Sequence, residues 1–73
     1  MSNTTQGIHT TTHPKGTGWV NQAGGVVLTS HRDKVTAVEQ GRLLAKRHGA
    51  LYTIHRKDGT VVETKSYAVK PLQ

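Results

Sequence analysis

Five histidines in 73 residues are the first candidates for chemistry, because imidazole serves as metal ligand, general base and proton carrier near neutral pH. His9 and His13 would share one face of a strand that begins at Ile8, and His55 could join them from a neighbouring strand. A structural zinc centre, however, wants four ligands, with cysteines or closely spaced histidines among them, and the chain has no cysteine and no helical His-x-x-x-His. We therefore expect surface histidines, with no metal and no cofactor. His48 is explained by its place in the last turn of a helix, where an imidazole meets the dipole and the free carbonyls.

The four carboxylates are the next candidates, and each has a structural role ready for it. Asp33 caps a helix, Asp58 shapes a turn, Glu39 lies on an exposed helix face and Glu63 on an outward strand face, so no acid pair converges. Ser30 and His31 are adjacent in sequence, which does not bring a nucleophile to its base. Gly16, Gly18, Gly24 and Gly25 precede strands and lack the Lys-Ser/Thr helix start of a phosphate-cradling loop. The expectation is a chain that is not an enzyme and has no small-molecule substrate.

Binding is the alternative. Arg42, Lys46 and Arg47 on the helix, with Arg56 and Lys57 at a hairpin, form a basic set that could contact the phosphates of a nucleic acid or another acidic partner. Glu39 interrupts that set, and Trp19, Tyr52 and Tyr67 are the only rings available for stacking. Val35 and Leu43 lie eight positions apart on the outward helix face, a candidate surface for a homodimer or a protein partner. An open strand edge offers a second route to pairing.

The elements that position these residues are legible in outline. Alternation predicts strands over 8–13, 17–22 and 26–29, broken by Pro14-Lys15-Gly16 and Ala23-Gly24-Gly25 and joined as a meander. Residues 33–48 read as a helix with both ends marked, by Asp33 (or Ser30 with Asp33) at the start and Gly49 at the stop. Ala37, Val38, Gly41, Leu44, Ala45 and His48 fall on one side of it, opposite Arg32, Glu39, Gln40, Arg42, Lys46 and Arg47. Gly41, in the middle of the apolar side, costs about 1 kcal/mol relative to Ala, which a close approach of helix to sheet would offset. Strands 51–56 and 60–65 then make a hairpin around Lys57-Asp58-Gly59. We expect a type I turn with Gly59 in a bulge, pairing Ile54 with Val62 and Tyr52 with Thr64 and leaving Thr53, His55 and Glu63 outward. The predicted fold is α+β, one amphipathic helix on a small antiparallel sheet, in the order β-β-β-α-β-β. Its boundaries are a flexible tail at 1–7, one domain over 8–69 and a second tail at 70–73.

Size and charge bound the rest. A chain this short buries only about 60% of the surface its unfolded state exposes, so one thin core is expected, with no disulfide to staple it. Ten Lys and Arg against four Asp and Glu give a formal charge of +6. Residues 31–73 hold nine of those bases and all four acids, leaving +5 in that part. The N-terminal Met-Ser-Asn-Thr-Thr-Gln-Gly has no charged or apolar export region, and the longest apolar run is Val26-Val27-Leu28. The expected setting is cytoplasmic, without a membrane span.

Gly18-Trp19-Val20, the helix run from Thr36 to Lys46, Ile54-His55-Arg56-Lys57-Asp58-Gly59 and Ser66-Tyr67, taken in that order and spacing, resemble a family of short bacterial proteins catalogued as domain of unknown function 2188. The likeness spans about Ile8 to Tyr67. The chain departs from it at Gln22, where members often carry a basic residue, and at Ala68, where they carry glycine. The resemblance implies a compact bacterial α+β domain and brings no activity with it. The sequence thus leads to a non-enzymatic protein-interaction or self-assembly module, with nucleic-acid binding as the alternative.

Overall fold

A computed structural model of the chain describes residues 7–68. The tail expected over 1–7 lies outside the described residues except for Gly7, and so do residue 69 and the tail expected over 70–73. The elements run β1 (Ile8–Thr12), β2 (Trp19–Ala23), β3 (Val26–His31), α1 (Lys34–His48), β4 (Leu51–His55) and β5 (Val61–Ser66). This is the α+β class and the β-β-β-α-β-β order that the sequence predicts.

The strands form a single sheet in the order β3-β2-β1-β4-β5. The meander and the hairpin are antiparallel as expected, but β1 and β4 pair in parallel, so the sheet is mixed and the antiparallel expectation is corrected at its centre. The cause is the helix. It carries the chain back along the sheet, so β4 starts in the same direction as β3 and β1. Whichever free edge of the meander β4 joins, it must join in parallel.

Both helix ends are built from the residues that mark them. Asp33 is extended (φ −125°) and its Oδ1 accepts from the Thr36 amide at 2.9 Å. Gly49 is left-handed (φ 60°) and its amide bonds back to the carbonyls of Ala45 and Lys46. Ala37, Gly41 and Ala45 are buried against the sheet with Val38 and Leu44 beside them, while His48 stands exposed in the last turn rather than inward. A Cβ on Gly41 would lie 2.5 Å from Asn21 Oδ1, 2.7 Å from Tyr52 Cε1 and 2.8 Å from Thr10 Oγ1, which is the close helix-to-sheet approach expected of a glycine there.

Beneath Gly41 the core is polar at its centre. Thr10, Asn21 and Tyr52 are buried, and Asn21 is wholly so. The Thr10 hydroxyl donates to Asn21 Oδ1 at 2.5 Å, which leaves Thr10 Oγ1 to accept from the Tyr52 hydroxyl. Asn21 Nδ2 donates to Thr29 Oγ1 at 3.0 Å and to the Ala37 carbonyl at 2.9 Å, so both ends of the amide are satisfied. Around this chain of bonds lie Ile8, Trp19, Ala37, Ala45 and Ile54.

The β4–β5 hairpin corrects the expected register. Its turn is the predicted one: the Gly59 amide bonds to the Arg56 carbonyl at 2.9 Å, Gly59 has φ 92°, and the Arg56 amide bonds to the Thr60 carbonyl at 2.8 Å. One pair further on, His55 lies opposite Val61, but Ile54 then pairs with Glu63 and Tyr52 with Lys65, because Val62 is an extra residue in a bulge. That shift moves every later β5 side chain to the other face. Glu63, expected outward, instead faces the helix, where Arg42 Nη2 lies 3.5 Å from its carboxylate.

The candidate interaction face

The helix covers one face of the sheet, and register assigns the side chains of the other. From β1 it receives His9 and Thr11, from β2 Val20 and Gln22, and from β4 Leu51, Thr53 and His55. Val20 and Thr53 are buried in the floor of this uncovered face. Each edge strand contributes a pair of neighbouring apolar residues. On β3 a bulge sets Leu28 beside Val27, which pairs with Gln22. On β5 the Val62 bulge sets Val62 beside Val61, which pairs with His55. All four are exposed, between 43% for Val27 and 52% for Val61. A regular strand would have turned one of each pair inward; the bulge keeps both on the same side.

His9 and His55 meet at the centre of this face. His9 Nδ1 is 3.0 Å from His55 Nε2, and the rings stack at 5.2 Å between centroids. Their tautomers follow from the third partner. The Gly59 carbonyl, 3.1 Å from His55 Nδ1, can only accept, so His55 carries its proton there and its Nε2 accepts from His9 Nδ1. Burial, and then the neighbouring His55, lower the pKa of His9 below its ordinary 6.5. A single added proton keeps the hydrogen bond. A second sets two donors and two cations against each other and breaks that bond. A shallow groove of about 550 Å³ crosses the face here, walled by Thr11, Gln22 and the backbone of Gly24, Gly25 and Gly59.

The other expected site residues are spread out. His13 does not join the pair: its Nδ1 accepts from the Lys15 amide at 3.0 Å, inside the β1–β2 turn. Among the described residues no group of three His, Cys, Asp or Glu is placed to hold a metal. Lys46 and Arg47 lie in the last turn of the helix, whereas Arg56 and Lys57 lie at the far end of β4, beside the helix start, so the basic set is divided between two ends of the domain. Arg42 is turned to Glu63, and the Lys46 ammonium sits 5.9 Å over the Tyr67 ring. Lys57 faces Arg32 across a cleft of about 520 Å³ that includes Gly16, Gly18 and Trp19. Val35 and Leu43 are exposed on the outer side of the helix, at 69% and 54%. The acids hold the places expected of Asp33 and Asp58: each accepts from an amide, of Thr36 and Thr60, which lowers both carboxyl pKa values below 3.8.

Sequence reasoning did not find the apolar pairs of β3 and β5. The signal was present as Val26-Val27-Leu28 and Val61-Val62, runs that break strict alternation and so call for a bulge.

Fold and face together define a two-layer α+β domain in which, among the described residues, no helix covers the second sheet surface. The family model described as "Uncharacterized protein conserved in bacteria (DUF2188)" matches residues 8–67, and the chain belongs to that family. No curated protein and no solved structure matches it. Among the described residues no helix is long and apolar enough to cross a membrane.

Proposed function

We propose that the chain is a non-enzymatic protein-binding module that holds its partner on the uncovered face of the sheet. The observation that supports this reading is the layout of that face. Apolar pairs stand exposed at both edges, on strands whose bulges spoil them for edge-to-edge pairing, so the face is a better docking surface than the open strand edge. It is also better suited than Val35 and Leu43, each isolated among charged helix residues.

A photo-crosslinking side chain placed at Val62 or Val27 tests the proposal in bacterial cells, with Val35 as the contrast. Covalent adducts to protein from the sheet positions and none from Val35 are expected. Adducts from Val35 alone, or none from any position, overturn the reading.

A second reading, nucleic-acid binding, has support from the cleft between Arg32 and Lys57, which sets two cations on one surface. On that reading single-stranded DNA binds with an affinity that falls steeply as salt rises, and Lys57→Glu weakens it. Absence of binding even at low salt ends it.

A further inference from the structure

We propose that the partner is a second copy of this chain, that two copies stack through their uncovered sheet faces, and that protonation of the His9–His55 pairs drives them apart. The inference rests on the protein-binding reading above and names its partner and its control.

Charge is the first argument. Among the described residues every Lys, Arg, Asp and Glu lies on the helix, in the turns, or on the helix side of β5. None projects from the uncovered face, although the chain carries +6. Two identical cations repel across any of their charged surfaces, and among the described residues the surface on which like copies can meet without that cost is this face. An acidic partner or a nucleic acid would find no cation on it to pair with.

Layout is the second argument. The central strand is β1, with one strand pair on either side, and each flank ends in an apolar pair. A two-fold axis along β1 lays the β3 flank of one copy over the β5 flank of the other, so that Val27 and Leu28 approach the partner's Val61 and Val62, and β1 lies over β1. Self-complementarity of this kind is what a closed two-fold dimer requires. Stacked at the ~10 Å spacing of packed sheets, the two faces would form a sandwich with a helix on each outer side. Five strands of about five residues give a footprint of roughly 24 by 17 Å, about 800 Å² for the two faces together, which is the size of weak, transient interfaces, so dissociation in the range of tens to hundreds of micromolar is expected.

The histidines supply the control. The pair sits near the axis, where stacking would remove its remaining water and set it close to the same pair of the other copy. The groups facing it are neutral: Thr11 from β1, Gln22 from β2, Thr53 from β4, Val61 and Val62 from β5, the backbone of Gly24 and Gly25, and the Gly59 carbonyl. The charged residues nearest in sequence belong to the turn, where Asp58 is bonded to Thr60 and Arg56 reaches the Thr60 hydroxyl. With no carboxylate to receive them, protons taken up on both copies leave cations buried against each other.

Sedimentation equilibrium of the full chain at pH 7.5 and pH 5.0 tests this. At pH 7.5 the expected mass is twice 7.9 kDa at concentrations of hundreds of micromolar. At pH 5.0 association should be weaker by tenfold or more, about a factor of ten for each proton excluded per pH unit. Leu28→Glu should weaken the dimer about 100-fold or more while its circular dichroism stays that of the wild type. Leu43→Glu, on the helix, should leave it intact. A His9→Gln, His55→Gln double variant should dimerise equally at both pH values. A monomer at millimolar concentration and pH 7.5 overturns the dimer, and equal association of the wild type at both pH values overturns the switch. A monomer whose Val62 crosslinks other proteins in cells would refute the homodimer and leave the protein-binding reading standing.

Discussion

Gly41 shows how a single residue can reverse a general rule. In an exposed helix interior, Gly→Ala gains about 1 kcal/mol, but here the added methyl would meet Asn21, Tyr52 and Thr10 within 2.8 Å, two of them through polar atoms of a closed hydrogen-bond chain. None of these three is the loose end of a surface side chain, so the helix must lift. Gly41→Ala is expected to destabilise the fold by about 1–3 kcal/mol, measured as a shift of the urea midpoint at unchanged slope. Asn21→Ala attacks the same point from the sheet. It strips the Ala37 carbonyl of its side-chain donor, leaves the Thr10 hydroxyl without its acceptor and opens a cavity, for an expected loss of about 2–4 kcal/mol. A glycine on the apolar side of a predicted helix announced the close approach, but the polar core was visible only as Thr10 and Asn21 at inward strand positions. No local pattern says that pairing of β1 with β2 will align two side chains 11 residues apart.

At the scale of elements, what the sequence made legible was what neighbouring residues decide. Helix boundaries follow from Asp33 and Gly49, the hairpin turn from Asp58-Gly59, and the β2–β3 connection from Gly24-Gly25, both with positive φ. Asp33→Ala is accordingly expected to lower the melting temperature by several degrees, read by circular dichroism, since it frees the Thr36 amide and removes an anion from the helix start. Asp33→Asn keeps an acceptor and should fall between the two. What the sequence left illegible was fixed by partners far along the chain. The parallel β1–β4 pair depends on which edge β4 reaches after the helix. The Val62 bulge sets Glu63 toward Arg42, but this half-exposed pair, with 36% and 43% of its side chains accessible, is too weak to have dictated the register. The uncovered face was missed for the same reason. Its residues come from all five strands, and only the complete register collects them on one side. The strand pattern puts His9 and His13 on one face with His55 within reach, and the structure brings His9 and His55 together, while His13 turns away.

For the molecule as a whole, acid tests the face even in a single copy. His9 has a pKa below 6.5 in the folded chain, for burial and the adjoining His55 both disfavour its cation, whereas in the unfolded chain it has its ordinary value. Between those two values the unfolded state binds more protons than the native one, so stability must rise with pH there. The contribution is complete above 6.5 and is lost as pH falls through the native value. The carboxyls of Asp33 and Asp58 act in a lower window: their native values lie below 3.8, so their stabilisation is full above that pH and is lost only in stronger acid. Urea denaturation at a concentration too dilute for association, repeated from pH 7.5 to pH 3, should therefore show two separate losses. His9→Gln should abolish the first, which sets in below pH 6.5, and leave the second in place. A single loss below pH 4 in the wild type would mean that His9 carries its proton in the native chain as easily as in water. In that event any proton sensitivity of the uncovered face could arise only from the water that stacking removes.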